Sequence, residues 1–94
     1  MTNDLLDDDE KPAKKKQTQR EIELGVVRNV MSTVQGRAMM WRFVTQAGTF
    51  SSTFNPDPQV HAYQAGRREQ GLLLDRELRD ASDEFYYLML RENQ

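Results

Sequence analysis

The chain contains no cysteine and a single histidine, His61. The first absence excludes disulfide staples and thiolate metal sites, and it fits a reducing compartment. The second leaves the common nucleophile–base pairs almost nothing to build on. No run approaches the roughly 20 consecutive apolar residues that a spanning helix needs. The N-terminus runs straight into acidic residues instead of a signal-peptide pattern. Charge of one sign is also missing: a formal net charge of −2 is not the strongly basic balance that neutralises nucleic-acid phosphates. The glycines at 25, 36, 48, 66 and 71 lack the spacing and the preceding strand of a phosphate loop. No catalytic residue, cofactor or metal site is therefore expected, and the chain reads as a non-enzyme.

What is present is a short, charged, helix-forming chain. Ninety-four residues make a single domain. Domains this small bury only about 60% of their unfolded surface, and they often gain stability by oligomerising or docking. Residues 1–17 read as a disordered arm. In it Asp4, Asp7, Asp8, Asp9 and Glu10 precede Lys11, Lys14, Lys15 and Lys16, with little beyond Leu5 and Leu6 to bury. Residues 18–94 read as the helical domain.

Within that domain Thr18-Gln19-Arg20-Glu21 matches a capping box, and Ile22, Val26, Val27, Val30 and Met31 recur at helical spacing over about 19–31. Ser32 or Thr33 can cap a second helix whose apolar positions are Ala38, Met40, Trp41, Phe43, Val44 and Ala47, with Gly48 as its stop. Residues 48–57 form the one long loop, and Phe50 and Phe54 are expected to tuck back over an open end of the core. Asp57-Pro58 starts a third helix running to about Ala81, with a seam of Ala62, Tyr63, Gly66, Leu73, Leu74 and Leu78. Ser82 begins a fourth, with Asp83 and Glu84 at the positive end of its dipole and Phe85, Leu88 and Met89 facing inward. Nothing reads as a strand.

Several groups invite a functional reading beside a plain one. Asp7 to Glu10 has the oxygens to hold a hard cation but no fixed geometry, so a solvated charge run is favoured. Lys11, Lys14, Lys15 and Lys16 can touch nucleic acid or an acidic protein surface, although the neighbouring acids weigh against a dedicated DNA contact. A helix-turn-helix with Gln35, Arg37, Arg42 and Gln46 on a recognition helix is opposed by the core-like Met and Trp content of that helix. Gly66 and Gly71 each cost about 1 kcal/mol in a helix interior. They imply a notch where helix two crosses closely, with Arg67 or Arg68 reaching helix-end carbonyls or a carboxylate such as Glu92. Tyr86 and Tyr87 are adjacent, so at least one of them faces outward.

At Gly36-Arg37, Phe50 to Phe54, Gly66-Arg67-Arg68, Gly71 and Leu90-Arg91-Glu92-Asn93 the sequence resembles the Bbp-nineteen-like proteins of tailed, podovirus-type bacteriophages, over about residues 33–93. The resemblance implies a protein encoded among morphogenesis genes, made in the host bacterial cytoplasm and carried in the virion. It would act as a virion component, an assembly accessory near the portal, or an internal protein ejected with DNA. Its partners would be other virion proteins of the portal, head or tail, and possibly itself.

These readings combine into one expectation: an all-α, compact three- to four-helix domain with a disordered charged arm, working through protein–protein contacts. Arg37, Phe50, Phe54, Arg67, Arg68 and Tyr86 are the candidate contacts, with Lys14, Lys15 and Lys16 on the arm. The alternative is a small DNA-binding or host-regulatory phage protein that uses the lysine patch.

Overall fold

A computed structural model describes residues 4–94, with side chains from residue 18 onward. The arm expected over residues 1–17, with its lysines, lies outside the residues whose side chains are described. Four helices follow one another: α1 (Asp4–Met31), α2 (Val34–Gln46), α3 (Pro58–Ala81) and α4 (Asp83–Asn93). No strand occurs among the described residues. Thr18 lies inside α1 and not at its start, so the expected capping box does not form there.

The other helix signals act where the sequence places them. Thr33 caps α2 by accepting the N–H of Gly36 at 2.9 Å. Asp57 caps α3 by accepting from Gln59 at 2.8 Å and Val60 at 3.3 Å, with Pro58 at the first helical position. Ser82 caps α4 through the N–H of Phe85 at 3.1 Å. At the end of α2, Gly48 turns left-handed with φ 73°. Its N–H then reaches the Thr45 carbonyl at 3.0 Å, and that of Thr49 reaches the Val44 carbonyl at 3.4 Å. This is a Schellman ending, which satisfies two carbonyls that the helix leaves open.

Each helix contributes to one core. Met31, Val44, Leu78 and Met89 are fully buried, Ala81 and Tyr86 nearly so, and Val27, Met40, Trp41, Leu74, Phe85 and Leu90 pack around them. α2 packs most closely on α4, and α1 on α3. Two expected seams are shorter than the sequence suggested. On α3, Leu74 and Leu78 enter the core, but Ala62, Tyr63, Gly66 and Leu73 are exposed. Leu73 lies on another face of α3, with Glu69 and Arg76, and helix length explains the other three. The 24 residues of α3 extend about 36 Å while the 13 of α2 extend about 20 Å at 1.5 Å per residue. The first turns of α3 therefore overhang the bundle. On α2, Val44 is buried, whereas Ala38 and Phe43 face outward.

Candidate interaction surface

The arginines expected to meet a partner turn first to the protein's own helix ends. The last residue of α1, Met31, gives its carbonyl to Arg37 Nη1 at 2.9 Å. Gln46, the last of α2, gives its carbonyl to Arg67 Nη2. Ala81, the last of α3, gives its carbonyl to Arg28 Nε at 2.8 Å. Each guanidinium comes from a different helix than the end it closes: α2 closes α1, α3 closes α2, and α1 closes α3. A cation at the negative end of a helix dipole that also satisfies an orphan carbonyl stabilises that end. Arg67 was expected to reach a helix-end carbonyl. For Arg28 the signal in the sequence is its place in the last turn of α1.

Arg37 is a correction to the expected contact set, because it is only 6% exposed. It grips both carboxylate oxygens of Glu92, from Nε at 3.1 and 3.0 Å and from Nη2 at 2.7 Å. Its guanidinium also lies 5.8 Å from the centre of the Phe85 ring. Arg37, and neither Arg67 nor Arg68, is thus the partner of Glu92. The hydrogen bond to Glu92 raises the Arg37 pKa against the opposing effect of burial, and the same bond lowers that of Glu92. The first turn of α2 is tied in this way to the last turns of α1 and α4.

Tyr86 is the second correction. It is 3% exposed, and its hydroxyl donates to Asp75 Oδ1 at 2.7 Å while accepting from Arg79 Nη2 at 3.1 Å. Arg79 also lies over the Tyr86 ring, 4.6 Å from its centre, and pairs with Asp75 Oδ2 at 3.4 Å. Burial, followed by the bond to Asp75, pushes the Tyr86 hydroxyl above the usual tyrosine range. These contacts tie Asp75 and Arg79 of α3 to Tyr86 of α4. The i,i+4 spacing of Asp75 and Arg79 was its signal in the sequence. Tyr87 is the outward member of the pair, 65% exposed.

The loop phenylalanines separate. Phe50 stacks on Trp41 with ring centres 5.8 Å apart and planes at 27°, so it does cover part of the core. Phe54 is 80% exposed, which overturns the expectation that both tuck inward. The reason is local. Ser52 Oγ accepts the Phe54 N–H at 3.3 Å, and Asn55 Oδ1 accepts the Asp57 N–H at 2.9 Å. These side-chain turns aim residue 54 outward. His61 braces the loop, with Nδ1 2.8 Å from the Thr53 carbonyl. Arg68 is half-buried on α3, and the side chains of Lys14, Lys15 and Lys16 lie outside the described residues.

An open apolar groove of about 480 Å³ runs between α1 and α3. Ile22, Val26, Val27 and Val30 form one wall, and Met40 and Leu74 complete the lining. Ile22 at 55% and Val26 at 60% exposure continue the buried line of α1 beyond the reach of the core. Gln19, Glu23 and Glu77 edge the groove. Arg20 bridges its α1 and α3 sides to Glu77 at 3.0 Å and Asp80 at 3.4 Å. No local pattern announces this groove, because helical spacing marks Ile22 and Val26 as core whether or not a neighbour covers them. Among the described residues no group of three His, Asp or Glu is placed to hold a metal ion.

Together these features define a small all-α domain in which Arg28, Arg37 and Arg67 close the ends of three helices and an apolar groove lies open between α1 and α3. The family model described as Bbp19-like phage protein matches residues 27–91, and the chain belongs to that family. The match begins upstream of the resemblance drawn at residue 33. It takes in the Gly36-Arg37 and Gly66-Arg67-Arg68 motifs and the aromatic loop. Comparison with curated proteins and with solved structures gives no match.

Proposed function

We propose that this phage protein works without catalysis, through protein–protein contacts in the virion or during its assembly. The observation that carries this reading is the exposed apolar surface: the groove walled by Ile22 and Val26, and Phe54 standing free at the loop tip. Exposed apolar patches edged by polar residues mark interaction sites. Membership of a phage family makes other phage proteins of the portal, head or tail the natural partners. Arg67, Arg68 and Phe54 remain the contact candidates on the loop side.

The test is mass spectrometry of purified, nuclease-treated particles of the source phage, with copy number per particle. Stoichiometric presence is expected, and the copy number would distinguish a portal position from a shell or ejected one. Clear absence would overturn the virion reading. In that case charge reversal at Lys14, Lys15 and Lys16 tests for a DNA-binding regulator, which would lose salt-sensitive binding.

A further inference from the structure

The outer face of α3 carries a pattern that the fold leaves unused. Glu69, Leu72, Leu73 and Arg76 stand at i, i+3, i+4 and i+7, so one face of the helix presents all four. With Asp75 and Arg79 they line an open concavity of about 380 Å³. Leu73 is 49% exposed. Glu69 and Arg76 are exposed and have no charge partner among the described residues. The other charges of α3 are engaged or half-buried. Asp75 pairs with Arg79 at 3.4 Å, and Glu77 and Asp80 hold Arg20. Arg67 meets the Gln46 carbonyl, and Arg68 is half-buried. α1 packs on a different flank of α3, through Leu74 and Glu77.

We propose that α3 of one copy packs antiparallel on α3 of a second, closing a symmetric dimer about the Leu72–Leu73 step. The proposal rests on the reading that the protein works through protein contacts, and it names one partner as a second copy of this chain. The four positions are their own complement. Turned end for end about a two-fold axis between Leu72 and Leu73, the helix sets Glu69 level with Arg76 of the second copy, and Arg76 level with its Glu69. The leucines of both copies meet between these two ion pairs. The same rotation sets Asp80 level with Ala65, Arg79 with Gly66 and Glu77 with Arg68, so no like charges come level. Parallel packing is opposed by the same residues, because Glu69 would face Glu69 and Arg76 would face Arg76. Covering Leu73 and the rest of Leu72 supplies the apolar gain, and the charges set the register. A preformed helix face also loses little entropy on docking. From Ala65 to Asp80 the seam spans about 22 Å at 1.5 Å per residue. That is a small interface, so the association is weak and reversible. Because one patch serves both copies, the contact is isologous and stops at the dimer.

The test is sedimentation velocity of the full chain across concentration, with the folding of each variant checked by circular dichroism. The wild type should pass from monomer to dimer and no further, with less dimer as salt rises. Glu69→Arg and Arg76→Glu, both at exposed positions, should each weaken the dimer by roughly tenfold or more, since each turns two attractions into two repulsions. The double variant Glu69→Arg/Arg76→Glu reverses both charges and should recover the wild-type affinity. In a parallel dimer each single change would only exchange one like-charge pair for another and leave affinity unchanged. A wild type monomeric at every concentration overturns the proposal. So do single variants that dimerise like the wild type, or a double variant no better than the single ones. Incorporation into particles separates this pairing from the broader reading. A dimeric protein absent from particles leaves the pairing standing and removes the virion role, whereas a monomeric protein present in particles removes only the pairing.

Discussion

Thr49 Oγ1 occupies the space that a side chain on Gly71 would need, so the end of α2 and the middle of α3 approach to backbone distance at that one point. Ala47 Cβ would lie 2.9 Å from a Cβ placed on Gly71. Thr49 is 1% exposed and bonded back to the Val44 carbonyl at 2.7 Å, so it cannot swing aside. Gly66, the other glycine of the same helix, has nothing within 4 Å of its position.

The two glycines therefore respond oppositely to the same change. Gly66→Ala should stabilise the protein by about 0.5–1 kcal/mol, because alanine is the better helix former at an open site. Gly71→Ala should destabilise it by about 1–3 kcal/mol through overpacking, despite the same gain in propensity. Urea unfolding of the two variants beside the wild type checks both signs.

The Arg37–Glu92 tie predicts a shape as well as a loss. Arg37→Ala leaves the Glu92 carboxylate and the Met31 carbonyl without their donor and should lower the melting temperature. Arg37→Lys should not restore it, since one ammonium cannot reproduce a planar fork that serves both groups. Glu92 is held below its ordinary pKa in the fold, so its contribution is present above the usual glutamate range and is lost as pH falls through the lowered value. Melts from neutral into acid pH should show the stability gap between wild type and Glu92→Gln narrowing over that window.

Tyr86 gives the converse. Its pKa is raised, so it contributes below the ordinary tyrosine value of about 10 and the contribution is lost as pH climbs above that value. Tyr86→Phe should cost about 1–3 kcal/mol at neutral pH, because buried Asp75 loses its shortest donor. The variant should also lack the alkaline decline that this phenol imposes on the wild type. Thermal melts from neutral to strongly alkaline pH check both effects.

The loop phenylalanines should differ although they are four residues apart. Phe50→Ser removes the stack on Trp41 and should cost about 0.5–1.5 kcal/mol or more. Phe54 is 80% exposed, so Phe54→Ser should leave the stability of the dilute protein within about 0.5 kcal/mol of wild type. Denaturant melts at low protein concentration separate the two.

Local signals in the chain set the helices and most of their ends. Thr33, Gly48, Asp57-Pro58 and Ser82 act on backbone groups a few residues away, so their effect needs no knowledge of the rest of the chain. The family was legible for a related reason: Gly36-Arg37 and Gly66-Arg67-Arg68 keep their identity and spacing whatever they contact. Packing of the helices on one another settled which of the apolar and charged residues face inward. Helical spacing placed Ile22, Val26 and Tyr63 on seams, but burial depends on whether a neighbouring helix is long enough to cover them, and α2 is too short to cover the start of α3. It also decided that Arg37 and Tyr86 turn inward. Their partners, Glu92 and Asp75, lie 55 and 11 residues away, and pairing across such separations is settled by packing and desolvation, which no local pattern encodes.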